Sequence, residues 1–372
     1  MTRLVPSLRR IALISFGGIG DAILFSPVIE DIRDALPTAE LTLVLEDRSA
    51  GVAPLLPGVN HVCPVQVQGV PRSALFFKLL GILRAGNFDA VVATGSSVMI
   101  PVLLALSGIA VRVGFDGGPL HRLLLTAAAP LCRQQYAGRM YAALSQALLT
   151  RVLGQTTCTS MTGGGLPHLA RVDASNIRWA ERLLGGTQAD GAQAGKPRVL
   201  IHPGVSRVSV DKHILKSWPV SHWAPFIRRL LDQGCQVTLA GGPDDGEAVH
   251  AILAALPAET PGLSNLYGQT RSLTDLAALI AAVDCLVAVD SSPLHIAVGL
   301  GTPVVAMFGP TDERKLLPPD PRFIAVHQQD LACRPCLWDV RQTSCDQPVC
   351  LDVAVEDMAA AVFRVLEIHS MT

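Results

Sequence analysis

Two doubly wound α/β domains in tandem are the architecture this sequence predicts, and three observations carry the prediction. Short, continuously apolar runs ending in Gly, Asp, Ser or Thr recur along the chain, separated by stretches of helical length. Continuous rather than alternating apolar character marks strands covered on both faces, which belong to parallel sheets with helical crossovers. The pattern breaks once at a small, polar, glycine-rich stretch and then restarts, and 372 residues exceed what one core usually holds.

The first strand is Ile11-Ala12-Leu13-Ile14-Ser15-Phe16. It follows the basic segment MTRLVPSLRR, but Gly17-Gly18 and Asp21 end the run too soon for an export signal. A helix through Ile29 to Leu36 follows, and Leu41-Thr42-Leu43-Val44-Leu45 and Asp89-Ala90-Val91-Val92-Ala93-Thr94 are further strands. The charge-free stretch from Ala90 to Val111 is long enough to raise a membrane span. It holds Gly95, Ser96, Ser97, Pro101, Ser107 and Gly108, so a buried strand, turn and helix is expected instead. Residues 185–197 are small, polar and rich in breakers, and read as a linker. Beyond them, the runs beginning at Val199, Gln236, Cys285 and Val304 are four strand-then-turn signals. The expected division is 1–184, linker 185–197, 198–352, and a C-terminal helix in 353–372 packing back toward the N-terminal domain.

Thirty basic residues against thirty-one acidic ones give a net charge of -1, which argues against a general field for nucleic acid. Nine cysteines without a convincing secretory signal point to a reducing compartment, hence a cytoplasmic protein whose thiols are free or bind metal.

Four loops at strand ends can carry chemistry, since ligands of such sheets sit where the carboxyl ends of strands open into a crevice. Gly17-Gly18-Ile19-Gly20-Asp21 allows a sharp turn and close approach of a ligand at Gly18 and Gly20. Its spacing misses the dinucleotide fingerprint, because Ile23 occupies the third glycine position. Asp21 can take a proton from an acceptor hydroxyl or simply cap the following helix. In the second loop, His202-Pro203-Gly204-Val205-Ser206, the Ser206 hydroxyl with Lys212 or Lys216 suits a phosphate; solvated lysines are the alternative. Asp290-Ser291-Ser292-Pro293-Leu294-His295 starts a helix whose free backbone amides suit a diphosphate, with His295 either a donor to it or packed. Gly241-Gly242-Pro243-Asp244-Asp245-Gly246-Glu247 supplies carboxylates for ribose hydroxyls, or a solvated turn.

These loops, with Lys216-Ser217-Trp218-Pro219 and Phe308-Gly309-Pro310-Thr311, resemble in order and spacing the bacterial heptosyltransferases, glycosyltransferase family 9. The resemblance implies two Rossmann-like doubly wound domains facing a central cleft (the GT-B type), with donor mainly on the C-terminal domain and acceptor mainly on the N-terminal one. It implies transfer of heptose from ADP-heptose to a lipid-linked acceptor of the lipopolysaccharide inner core, with inversion and without a catalytic metal. Asp21 then becomes the general base and Lys216 the cation facing the donor phosphates. Ser206, Asp290, Ser291, Ser292 and His295 line the diphosphate, and Glu247 takes the ribose or base edge. The sequence departs from the family where Asp-Thr-Gly reads Asp290-Ser291-Ser292. Another nucleotide-sugar donor (a UDP- or GDP-hexose), a protein acceptor, or a non-catalytic nucleotide-sugar-binding protein are the rival readings.

Two features stand apart. Cys333, Cys336, Cys345 and Cys350 put four thiols within eighteen residues, enough to enclose a structural zinc or iron, with free buried thiols as the alternative. Family members often carry such a cluster, and a branch that modifies autotransporters uses it for iron. The segment Pro71 to Arg84 is apolar nearly all round with three basic residues, expected either as an interfacial helix at the inner membrane or as a buried crossover. The loops from Gly114 to Arg139 show no pattern that identifies an acceptor.

Overall fold

The computed structural model describes residues 8–154, 165–170, 172–185, 195–337, 345 and 348–370. The chain divides after Ala170 into two units. In the first, strands β1 (Arg10–Ser15), β2 (Glu40–Glu46), β3 (His61–Val65), β4 (Ala90–Ala93), β5 (Val111–Phe115) and β6 (Ala127–Ala129) form one parallel sheet in the order β3-β2-β1-β4-β5-β6. The run Ile11 to Ile14 is buried on both faces, as its continuous apolar character requires. In register, Leu13 faces Leu43 on one side and Val92 on the other.

The second unit repeats the plan. Strands β7 (Arg198–His202), β8 (Gln236–Leu239), β9 (Leu263–Asn265), β10 (Cys285–Val289), β11 (Val304–Met307) and β12 (Phe323–Val326) run parallel in the order β12-β11-β10-β7-β8-β9. Each sheet thus reverses its winding once, between β1 and β4 and between β7 and β10, and doubly wound sheets bind ligands outside the strand ends at that reversal.

The stretch from Ala90 to Val111 is β4, a helix Met99–Leu106 and the start of β5. No helix among the described residues is long and apolar enough to cross a membrane. The boundary falls earlier than the composition break. Helix Ala174–Gly185, expected in the N-terminal domain, packs on helix Leu273–Ala281 of the second unit: Asn176 Nδ2 donates to Asp275 Oδ1 (3.2 Å), and the Arg271 guanidinium lies 5.8 Å from the Trp179 ring. Most of the expected linker, residues 186–194, lies outside the described residues. The C-terminal helix Val355–Ser370 buries Met358, Val362 and Val365 in the second unit's core.

Candidate functional site

In the first unit, the turn after β1 is shaped by one carboxylate. Asp21 Oδ2 accepts from the Gly18 N–H (2.8 Å), reaching back to the residue that caps helix Ile19–Leu24. A Cβ on Gly17 would fall on the Asp21 carboxylate, so glycine there leaves that carboxylate where it is. The capping role is therefore realised, with Gly18 and Gly20 at the start of the same helix. Burial, and secondarily the Asp21 charge, hold the Tyr141 phenol well above its ordinary pKa, so the two groups are neighbours. Polar residues at the end of β2, which the sequence reading passed over, close the other side. Ser49 Oγ donates to Gly17 O (2.8 Å), and Arg48 Nε to the buried Glu46 (2.6 Å), which Gln68 also contacts (2.7 Å).

In the second unit, the decisive pair is Lys216 and Asp290. Trp218 is buried against Trp223 and Phe226, with ring centroids 4.9 and 5.6 Å away, and its Nε1 donates to Val353 O (3.0 Å). Pro219 then starts helix Val220–Asp232, so the Trp-Pro pair anchors the segment and delivers the residue two places earlier to the end of β10. Lys216 Nζ there lies 2.6 Å from Asp290 Oδ2, whereas Lys212 is exposed. Burial alone would raise the Asp290 pKa, but the Lys216 charge and hydrogen bond, the Thr311 hydroxyl (2.7 Å) and His295 hold it below the ordinary carboxylate range. The aspartate is therefore ionised, and the lysine is fixed by it.

Helix Ser292–Leu300 begins beside this pair, with Ser291 as its N-cap residue. The Ser291 hydroxyl donates to Val289 O (3.3 Å) and makes no cap bond, so the first-turn amides are not capped by it. His295 is buried, and its Nδ1 has no hydrogen-bond partner among the described residues. Burial pushes its pKa down to about 4, which makes it a neutral ring rather than a cation.

Around β7 and β8 the loops interlock. Asp245 Oδ2 accepts from the Gly242 N–H (2.7 Å) and lies 3.5 Å from His202 Nε2. Burial depresses the His202 pKa and raises that of Asp245. Gly204 is needed because a Cβ would overlap the Asp245 carboxylate. Ser206 caps the short helix Arg207–Asp211 through the Ser209 N–H (3.3 Å), and Glu247 is exposed in the first turn of helix Gly246–Ala254. The end of β10 thus brings together Lys216, Asp290, Ser291, Ser292 and His295, while Ser206 and Glu247 belong to the loops after β7 and β8. Neither Thr311 nor the His202–Asp245 pair was given a role from sequence. The strand-end position of Thr311 was the signal available.

Cys333 and Cys345 are exposed, Cys336 is half-buried and Cys350 buried. The Cys336 and Cys350 thiols are raised by burial first and then by the other thiols of the set, which places the four in one neighbourhood. Among the described residues, no three His, Cys, Asp or Glu side chains are gathered to hold a metal ion. Residues 338–344 and 346–347 of this segment lie outside the described set.

Comparison with known proteins bears on this geometry. The family model for glycosyltransferase family 9 (heptosyltransferase) matches residues 76–346. Lipopolysaccharide heptosyltransferase 3 of Escherichia coli is 26% identical over 300 residues, covering 79% of this chain and 81% of that protein. Among solved structures, the fold is similar to E. coli ADP-heptose lipopolysaccharide heptosyltransferase II, with a TM-score of 0.71, 22% identity, and coverage of 97% of this chain and 99% of that one. It is also similar to the family 9 glycosyltransferase of Veillonella parvula, with a TM-score of 0.73, 20% identity and 97% coverage of both chains.

Proposed function

This chain belongs to glycosyltransferase family 9, the heptosyltransferases, and on that premise we propose that it transfers heptose from ADP-heptose to a lipid-linked acceptor of the lipopolysaccharide inner core. The relatives' names support both substrates: ADP-heptose is named for a structural neighbour and lipopolysaccharide for the curated relatives. The observation that carries the reading is the Lys216–Asp290 pair beside the start of helix Ser292–Leu300. A fixed cation at a strand end, beside a helix N-terminus whose Ser291 makes no side-chain cap bond, suits a diphosphate, and both become stronger partners as negative charge develops on a leaving ADP.

The reaction is a direct displacement with inversion. Asp21 withdraws the acceptor proton as the oxygen attacks the anomeric carbon, the carbon–phosphate-oxygen bond breaks, and the charge that appears on the diphosphate is met by Lys216. A neutral His295 contributes by donating a hydrogen bond to a phosphate oxygen. No catalytic metal takes part. Thermal-shift titration with ADP, UDP, GDP and NAD tests the donor, because a ligand that binds only the folded state raises its apparent stability. The expected result is stabilisation by ADP above the others, and a preference for UDP or GDP would replace the donor.

Contact with the inner membrane follows from a lipid-linked acceptor, and the first unit supports it. Helices Arg72–Ala85, Met99–Leu106 and Pro119–Leu124 pack side by side. They expose Phe77 (68%), Leu106 and Leu123 (77%), while Phe76 packs partly against the core. From residue 61 to 170 there are eight Lys and Arg against two acidic residues, unlike the balanced whole chain. Apolar projections on a basic background suit an anionic bilayer at its cytoplasmic face. Flotation with vesicles containing phosphatidylglycerol should weaken in Leu123→Glu and in high salt; unchanged flotation in both would refute the contact.

Four thiolates are the donor set that a structural zinc or iron takes, and to hold one Cys333, Cys336, Cys345 and Cys350 would have to draw together, since no three of them are gathered among the described residues. Metal analysis of protein purified without a metal column tests this, with near-stoichiometric metal expected and under a tenth of an equivalent excluding it.

A further inference from the structure

Asp290 is gripped from two sides at a single atom. Lys216 Nζ and Thr311 Oγ1 both donate to its Oδ2, at 2.6 and 2.7 Å. Asp290 and Thr311 are buried, so little water competes for that oxygen. With two donors on one oxygen, the plane of the carboxylate is set, and so is the direction in which it holds the lysine.

Thr311 in turn lies on the loop after β11, and that loop is held by the segment carrying the first two cysteines. Arg334 Nε donates to Gly309 O (2.6 Å), the Cys336 N–H to Pro310 O (2.9 Å) and Arg334 Nη2 to Thr311 O (3.0 Å), so three successive carbonyls are taken by residues 334–336. Glu313 balances the guanidinium at 2.7 Å, and the Arg334 side chain is only 9% exposed. Behind the loop stand Leu351, which a Cβ on Gly309 would strike, and Cys350, whose Sγ lies 3.6 Å from that position. Nothing in the reaction proposed above uses these contacts.

We infer that Thr311 and Arg334 are positioning residues for Lys216: the cysteine segment sets the Gly309–Thr311 loop through Arg334, and the Thr311 hydroxyl, through Asp290, aims the lysine at the leaving diphosphate. This rests on the role given to Lys216 above. The hydroxyl of Thr311 is the operative group, so serine should replace it and valine, of nearly the same shape, should not.

The test is steady-state kinetics with ADP-heptose and acceptor on Thr311→Val, Thr311→Ser, Arg334→Ala, Lys216→Ala and the double variant Lys216→Ala/Thr311→Val, each checked for folding by circular dichroism. Thr311→Val and Arg334→Ala should lower kcat about ten- to a hundredfold with the acceptor KM unchanged, and Thr311→Ser should stay near the wild type. The double variant should be no slower than Lys216→Ala, because Thr311 then has no lysine to aim. If Lys216→Ala is inactive while Thr311→Val turns over at the wild-type rate, or if the two losses multiply, the inference fails. A wild-type rate in Lys216→Ala would remove the reading of the reaction beneath it, and the inference with it. Arg334→Ala is the variant most exposed to misfolding, and Thr311→Val carries the test without it.

Discussion

Replacing Lys216 by alanine should leave a buried carboxylate without its cation, and the cost can be estimated from the structure. The charges are 2.6 Å apart, with Lys216 19% and Asp290 4% exposed. At an effective dielectric of about 20, such a pair attracts by roughly 6 kcal/mol. Partial solvation of the lysine and the Thr311 bond that the aspartate keeps reduce the net loss to about 3 kcal/mol, the low end for breaking a buried pair. The loss depends on pH with a definite sign. In the wild type the lowered Asp290 pKa contributes stability above the ordinary carboxylate value of 3.8, and that contribution is lost as pH falls through the folded value. Without Lys216, burial dominates and raises the pKa, so the variant's carboxyl protonates first on acidification and its penalty shrinks. Urea unfolding of wild type, Lys216→Ala and Lys216→Arg at about pH 8 and pH 5 should show a deficit for the alanine variant that is larger at the higher pH. The arginine variant should lose less. A deficit independent of pH, or none at either pH, would refute the assignment of Lys216 and Asp290 as a buried charge pair.

Other outcomes follow from the same contacts. Asp21→Asn should lower turnover about 10²- to 10⁴-fold with little change in melting temperature, since an amide oxygen can still accept from the Gly18 N–H at 2.8 Å; wild-type turnover would end the general-base role. Gly17→Ala should approach the same loss while staying folded, because its methyl displaces the Asp21 carboxylate, and full activity would show that the carboxylate's position is not needed. His295, lowered by burial to about 4, should show no protonation by NMR between about pH 5 and 8. It should also reduce folding stability as pH falls from its ordinary 6.5 toward 4, because the unfolded chain then binds the extra proton. Titration near 6.5 would contradict its burial as a neutral ring.

What could be seen in the sequence was what is local. The central strands β1, β2, β4, β7, β8, β10 and β11 are legible because each carries a short, mostly apolar and buried run, with polar residues mainly at its ends. The edges are not: β3 is largely exposed, β6 is three alanines, and β9 is Leu-Ser-Asn. The glycine turn before Asp21 and the Trp218-Pro219 anchor are likewise short-range signals. The partnerships that make the site are long-range. Lys216 meets Asp290 across 74 positions, and Arg334 reaches carbonyls 23 and 25 positions away. Helix Ala174–Gly185 could not be assigned by composition for the same reason: its partners Arg271 and Asp275 are far along the chain. The single carboxylate of Asp245 organising both Gly204 and Gly242 was hidden in an acidic cluster that reads as carboxylates for ribose hydroxyls or as a solvated turn.

Transfer of heptose from an ADP-linked donor is measured directly as ADP release from ADP-heptose, followed in parallel with the mass of a heptose-deficient inner-core acceptor. Acceptor-dependent ADP release with a matching gain of one heptose is the expected result, abolished or strongly reduced in Asp21→Asn and Lys216→Ala. Turnover of a UDP- or GDP-linked sugar with none of ADP-heptose, or full transfer by both variants, would contradict it.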